Sequence, residues 1–405
     1  MARMAWSQRD GPLVPIAEGY RRELLRLGYS PNTVTIQLVL VGQLNRWLAD
    51  KGFSAGELTT ARAEEFFASR RALGQHWVAT NRSLASLFEY LRAEGGVAPP
   101  LSPPRTAIDE LLGEYRNYLI GDRDLTPATV RGYEYMARRF LKQRVLQIQR
   151  PSATGIDGLN ATEVTAYVLE SSGRLTVDST KREAADLRAL LRFLYLKGLL
   201  DIDLGTAIPP VANWRDTRLP SVLSDSQVAA LLASCDRLSP RGLRDLVILN
   251  LMARLGFRAG EVAALWLIDI DWRAGEVLVR GKGRRFDRLP LPVEVGEALV
   301  AYLTKARPRA DYPNVILSVI APHRAIGPAA MTEVVYRACR RAGLPRVGGH
   351  RLRHALASEM LRLGGDLVEI GQVLRHRDLG TTAVYAKVNR GALRSVARPW
   401  PGTER

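Results

Sequence analysis

Apolar positions recur at helical spacing through most of this chain. Leu84, Leu87, Phe88 and Leu91 share one face of a helix that stops at Gly95, and Leu187, Leu190, Leu191 and Leu194 share one face of another that stops at Gly198. Upstream of each lies a second matched pair. SPNTV at residues 30–34 and TPATV at 126–130 both place proline just after a candidate N-cap and ahead of a long helical pattern. The offset between the copies grows from 96 to 103 residues, as insertions in connecting loops produce, so the pattern predicts a duplicated helical module.

Beyond these modules the period changes. In EVLVRGKGRRFDRLPLP, residues 276–292, Val277 and Val279 alternate on one arm and Leu289 and Leu291 on the other, with a Gly-rich basic tip between, which predicts a β-hairpin among further helices. Proline-rich stretches at residues 95–105 and 208–221 interrupt the helical pattern and read as linkers. The expected fold is therefore mainly α: two small helical bundles, residues 1–100 and 101–212, followed by a mixed α/β domain with a small antiparallel sheet and a C-terminal tail, residues 213–405.

Charge narrows the function. A formal net charge of +17 on 405 residues calls for a polyanionic partner, nucleic acid ahead of an anionic membrane surface. No apolar run approaches the roughly 20 residues needed to span a bilayer. The opening MARMAWSQRDGPL has no signal-like apolar stretch, so a cytoplasmic protein is expected. Cys235 and Cys339 stand far apart without a CxxC pair; neither a disulfide framework nor a cysteine zinc site is indicated, and both are expected to be buried.

Four stretches of the last segment carry polar residues in unusual company. In RLGFRAGEVAALW, Arg258 opens a predicted helix with Val262, Leu265 and Trp266 among its apolar positions; it suits a phosphate, or is a surface charge. Lys282 lies at the hairpin tip, either touching phosphate or solvated. A nucleotide-binding loop fails there, because five residues separate Gly275 from Gly281 and Gly283 replaces the magnesium-binding hydroxyl. In GGHRLRHALASEMLRLGGD, the stripe Leu352, Leu356, Met360 and Leu363 predicts a core face, with His350 and Arg353 on another face that His354 and Ala357 extend. These histidines lack zinc-ligand spacing. Asp366 is placed to cap a helix with Leu367, Ile370, Val373 and Leu374 inward, ending at Arg375 and His376, and Thr381 or Thr382 to cap the next, which bears Tyr385. A phenol with a pKa near 10 reacts at neutral pH only with a base and positive charge beside it; otherwise Tyr385 is a packing residue.

Together the ordered set Arg258, Lys282, His350 with Arg353, His376 and, nine residues on, Tyr385 resembles the tyrosine recombinase (phage-type integrase) family. The resemblance covers the whole last segment, and it implies that the middle segment is a core-binding (SAM-like) domain and the first an added module of similar type. It implies a site-specific recombinase in which Tyr385 attacks a DNA phosphodiester to form a 3'-phosphotyrosyl link. Arg258, Arg353 and His376 would hold the phosphate, His350 the tyrosine's proton, and Lys282 would protonate the leaving oxygen, with Glu261 orienting Arg258. No metal or cofactor is required. The implied partners are double-stranded DNA carrying specific sites and a homotetramer assembled on it; among element integration, transposition and dimer resolution, the added first module points to a mobile element's recombinase, working alone or with related recombinases. The tail after Asn389 packs against a neighbouring protomer or frays. One departure is Arg375, where the family generally has Gly ahead of the histidine; it puts the local turn in question and makes Arg375 a candidate phosphate contact. A type IB topoisomerase and a catalytically silent DNA-binding protein of the same fold are the alternatives, separated by whether a covalent DNA adduct forms and needs paired sites.

Overall fold

The computed structural model describes residues 10–74, 81–95, 105–147, 153–211, 222–281 and 286–375. Helices Ala17–Arg26, Pro31–Asp50, Thr60–Ala72 and Ala85–Ala93 enclose one apolar core, and helices Ala107–Gly121, Pro127–Gln147, Ala161–Ser172 and Val177–Leu196 enclose another. The matched sequence positions occupy matched places. Pro31 and Pro127 open the second helix of each set; Ser30 Oγ accepts the Thr33 N–H at 3.2 Å, and the Thr126 carbonyl accepts the Val130 N–H at 3.0 Å. All eight apolar residues of the paired faces are buried, and Gly95 and Gly198 end their helices at φ of 69° and 71°. Burying each such side chain contributes roughly 2 kcal/mol, so the buried face, more than helix propensity, holds a helix as short as Ala85–Ala93.

The compact units are residues 100–217 on one hand, and residues 1–99 with 218–405 on the other. In the second unit, helix Pro240–Arg254 is buried at every position from Gly242 to Ala253 and packs against helices Val293–Lys305, Pro328–Arg341 and His350–Arg362. Ser239 caps it, accepting the Gly242 N–H at 3.1 Å, with proline in the first turn. A helix enclosed on all sides can carry charge only if the charge is paired. Asp245 is, with Arg244 at 2.8 Å and Arg337 of helix Pro328–Arg341 at 3.3 Å.

The predicted hairpin forms, with one strand more. β1 (Ile270–Asp271), β2 (Glu276–Arg280) and β3 (Phe286–Pro290) make an antiparallel sheet in that order, Val277 facing Leu289 and Val279 facing Asp287 across β2 and β3. Val277, Val279 and Leu289 enter the core of this unit; Leu291 packs on its edge. Cys235 and Cys339 are buried as expected.

Two helix expectations change. The helix after Arg258 spans only Ala259–Ala264, because Leu265 and Trp266 turn extended: the Leu265 carbonyl accepts Val315 N–H at 2.8 Å and Trp266 bridges Asn314. Leu363 is 73% exposed, since helix His350–Arg362 has already ended there; its inward face runs through Leu352, Arg353, Ala355 and Ala357.

Candidate active site

Arg258 is the N-cap of helix Ala259–Ala264, and Glu261, one turn on, folds back upon it. Glu261 Oε2 accepts the Arg258 backbone N–H at 2.9 Å, and its Oε1 accepts from Arg258 Nη1 at 2.6 Å. The Arg258 side chain remains 39% exposed while Glu261 is buried, so the carboxylate is a fixed base from which the guanidinium extends.

Helix His350–Arg362 brings the second group. His350 opens it, and Arg353, one turn on, is 3% exposed, with Nη1 donating to the carbonyl of Gly256, two residues before Arg258. At Arg353 this helix face is thus packed against the stretch of chain that carries Arg258; Ala357, on the same side, is buried with Ile370 and Leu374. Gly256 is required there twice. Its φ is +61°, and a Cβ would lie 2.7 Å from Leu374 Cδ2 and 3.2 Å from Leu356 Cδ2.

Arg258, His350 and Arg353 line one cavity of about 160 Å³ with Thr332, Phe257 and Met252. Burial, followed by the Arg353 and Arg258 guanidinium groups, lowers the His350 pKa below its ordinary 6.5, against a smaller opposing pull from Glu261. The shift favours the neutral form of His350, the form that can accept a proton. His354, with its ring 6.5 Å away, is lowered too, by burial first and then by His350, Arg351 and Arg353. Two cations beside a neutral imidazole suit an oxyanion undergoing proton transfer.

Asp366 caps helix Leu367–Val373 as expected, accepting Glu369 N–H at 2.7 Å, with Ile370 and Leu374 buried and Leu367 and Val373 half-buried. Next comes Arg375, whose φ of 54° is the left-handed conformation glycine would adopt. The turn is therefore kept, at a backbone cost of about 1–2 kcal/mol for a residue with a Cβ. Arg375 turns inward: its side chain is 5% exposed and pairs with Glu261 Oε2 at 2.9 Å, in place of the expected phosphate contact. Burial pushes the Glu261 carboxyl up, but Arg375 and then the Arg258 backbone and side chain outweigh it and leave the group below its ordinary range.

Of the residues singled out in the sequence, Arg258, Glu261, His350 and Arg353 are thus brought together, while Lys282, His376 and Tyr385 lie outside the described residues. Sequence reasoning missed a support for the hairpin: Arg280 lies two residues before Lys282, forks onto the buried Asp269 at 2.9 and 2.7 Å, and stacks 4.1 Å from the Trp266 ring centroid. Its only sequence signal is an aspartate following the Arg258 box. Among the described residues no group of three His, Cys, Asp or Glu side chains is placed to hold a metal, and no helix is long and apolar enough to cross a membrane.

The sequence pattern of the phage integrase family matches residues 221–391, which include the whole of this constellation. The inferred integrase/recombinase y4rA of Sinorhizobium fredii strain NGR234 is 35% identical over 398 residues, 97% of this chain and 96% of its own length. Tyrosine recombinase XerD of Mycobacterium tuberculosis is 29% identical over 304 residues, 71% of this chain and 95% of its own. Two solved structures share the fold at lower identity. The site-specific recombinase XerH bound to palindromic difH substrate, a post-cleavage complex, aligns at a TM-score of 0.52 with 16% identity over 96% of this chain and 97% of that one. A lambda integrase dimer bound to a COC' core site aligns at 0.53 with 15% identity over 84% and 89%.

Proposed function

The chain belongs to the phage integrase family of tyrosine recombinases, enzymes that exchange DNA strands, and we propose that Tyr385 is its nucleophile and the cavity beside Arg258 its phosphate site. The observation that carries this reading is the convergence of Arg258, His350 and Arg353, from two separated stretches, on one cavity. The Tyr385 oxygen attacks the scissile phosphorus; the P–O5' bond breaks; a 3'-phosphotyrosyl link and a free 5'-hydroxyl result. His350, held neutral, takes the phenol's proton, and Lys282 gives one to the departing 5'-oxygen. Arg258, Arg353 and His376 hold the nonbridging oxygens as negative charge grows on them, the kind of preorganised stabilisation that usually supplies the largest share of catalysis. Because the bond energy is kept in the link, a 5'-hydroxyl from a second duplex reverses the step without ATP.

The partner is double-stranded DNA, in keeping with the +17 charge and with the DNA-bound state of the XerH and lambda integrase structures. Exchange between two duplexes uses four tyrosines, so the working assembly is a tetramer formed on DNA. Residues 1–100 and 101–212 serve as helical modules ahead of the catalytic domain at 213–405, and the enzyme acts in the cytoplasm on behalf of a mobile element. The test is covalent capture. Nicked duplexes tiling the DNA that flanks the coding sequence, incubated with the protein and run on a denaturing gel, give a protein–DNA adduct with wild type and none with Tyr385→Phe, which still binds. Binding without any adduct from wild type favours the silent DNA-binding reading.

A further inference from the structure

The reaction just described gives the buried guanidinium of Arg375 no task. Arg375 donates no hydrogen bond to the residues that line the cavity, yet most of its guanidinium contacts fall on the residues around Arg258. Nη2 donates to Glu261 Oε2 at 2.9 Å and to the Gly256 carbonyl at 3.2 Å. Nη1 donates to the Val373 carbonyl at 3.0 Å and reaches that of Leu255 at 3.5 Å, and the group lies 5.2 Å from the Phe257 ring centroid. Residues 255–257 are therefore stitched to the end of helix Leu367–Val373 by one side chain.

Backbone conformation sharpens the point. At φ of 54° a glycine would serve the turn without strain, so the turn itself gives no reason for arginine. What arginine adds is a fork rigid enough to hold a carboxylate and a carbonyl at once. Glu261 is thereby gripped on both oxygens, by Arg375 from the interior and by Arg258 from the cavity side.

We propose that Arg375 is a positioning residue, which fixes Glu261 and the Gly256 carbonyl from behind so that Arg258 and Arg353 are aimed into the cavity. This inference rests on the recombinase reading of that cavity and adds a residue to it. Glu261 is the intermediary toward Arg258. The Gly256 carbonyl, which also accepts from Arg353 Nη1, is the intermediary toward Arg353. Arg375 itself meets neither DNA nor the reacting phosphorus.

The experiment measures single-turnover adduct formation on the nicked duplexes, together with affinity for the same duplexes, in wild type, Arg375→Gly, Arg375→Met, Arg375→Lys, Glu261→Gln and the Arg375→Gly/Glu261→Gln double variant. Arg375→Gly relieves the backbone, and Arg375→Met keeps the side-chain volume in case the glycine variant folds poorly. Both are expected to slow adduct formation about tenfold or more, the loss of one charge-assisted contact, with affinity within threefold of wild type. Arg375→Lys, which keeps the charge without the fork, is expected to recover part of the rate. The double variant is expected to be no slower than the slower single variant, because both changes release the same guanidinium. Arg375→Gly and Arg375→Met cleaving within twofold of wild type overturn the proposal, as does a double variant whose loss is the product of the single losses. Wild type that forms no adduct on any duplex overturns the recombinase reading, and this inference with it.

Discussion

Glu261 holds Arg258 at two points, its Oε1 2.6 Å from Nη1 of the guanidinium and its Oε2 2.9 Å from the backbone nitrogen. Backbone and side chain of the same arginine are thus set by one buried carboxylate. An arginine with four rotatable bonds would otherwise sample many directions, and here it keeps one.

The first prediction tests that carboxylate. Glu261→Gln keeps the shape and removes the charge, so adduct formation should fall roughly 10- to 100-fold, the worth of a hydrogen bond to a charged group, while binding is retained. Glu261→Ala should in addition destabilise the fold by about 3–5 kcal/mol, because it leaves the buried Arg375 without even the amide oxygen that glutamine would still offer as an acceptor. Urea unfolding of the two variants separates the effects.

Gly256→Ala is expected to cost about 3 kcal/mol. Its methyl would lie 2.7 Å from Leu374 Cδ2 at a φ of +61°, combining left-handed strain with overpacking. The same change displaces the carbonyl that accepts from Arg353 and Arg375, so cleavage should fall along with the unfolding midpoint.

His350 and His354 give the protein a pH dependence. Both imidazoles are lowered from 6.5, chiefly by burial, so the fold favours their neutral form. As pH falls through 6.5 the unfolded chain takes up these protons before the folded one does. Their contribution to stability is accordingly complete above pH 6.5 and is lost as the pH drops toward the lower folded values. Urea midpoints measured from pH 8 to pH 5 should decline below 6.5, and His350→Asn with His354→Asn should flatten that decline.

DNA affinity should depend steeply on salt. If six or more phosphates are contacted, raising the salt from about 50 to 200 mM should weaken binding by roughly a thousandfold or more, measured by anisotropy on a labelled duplex. A flat response would contradict the role given to the +17 charge.

Which of these features could be read from the sequence follows from how local each one is. Arg258, Glu261, His350 and Arg353 were legible because their boxes are short and stand in a fixed order. The buried faces at Leu84 and Leu187 were legible because periodicity reports burial directly. The inward turn of Arg375 was not, since its acceptors at Leu255, Gly256 and Glu261 lie more than 110 residues away in sequence. Nor was the early end of the helix at Ala264, which is set by pairing of Leu265 and Trp266 with Val315 and Asn314. β1 is two residues long, too short for any alternation to show. The burial of Asp245 was not legible either, since beside the adjacent Arg244 it depends on Arg337, arriving from a distant helix.

The Gly256 carbonyl has one further consequence. Its oxygen offers two lone pairs, and Arg353, from helix His350–Arg362, and Arg375, just past helix Leu367–Val373, engage them, which pins the peptide plane between residues 256 and 257. A pinned plane has no reorganisation left to undergo when an anion arrives. The electrostatic work of arranging the guanidinium groups around that carbonyl is therefore done during folding, and a phosphate bound as proposed would meet a field that already has its final direction.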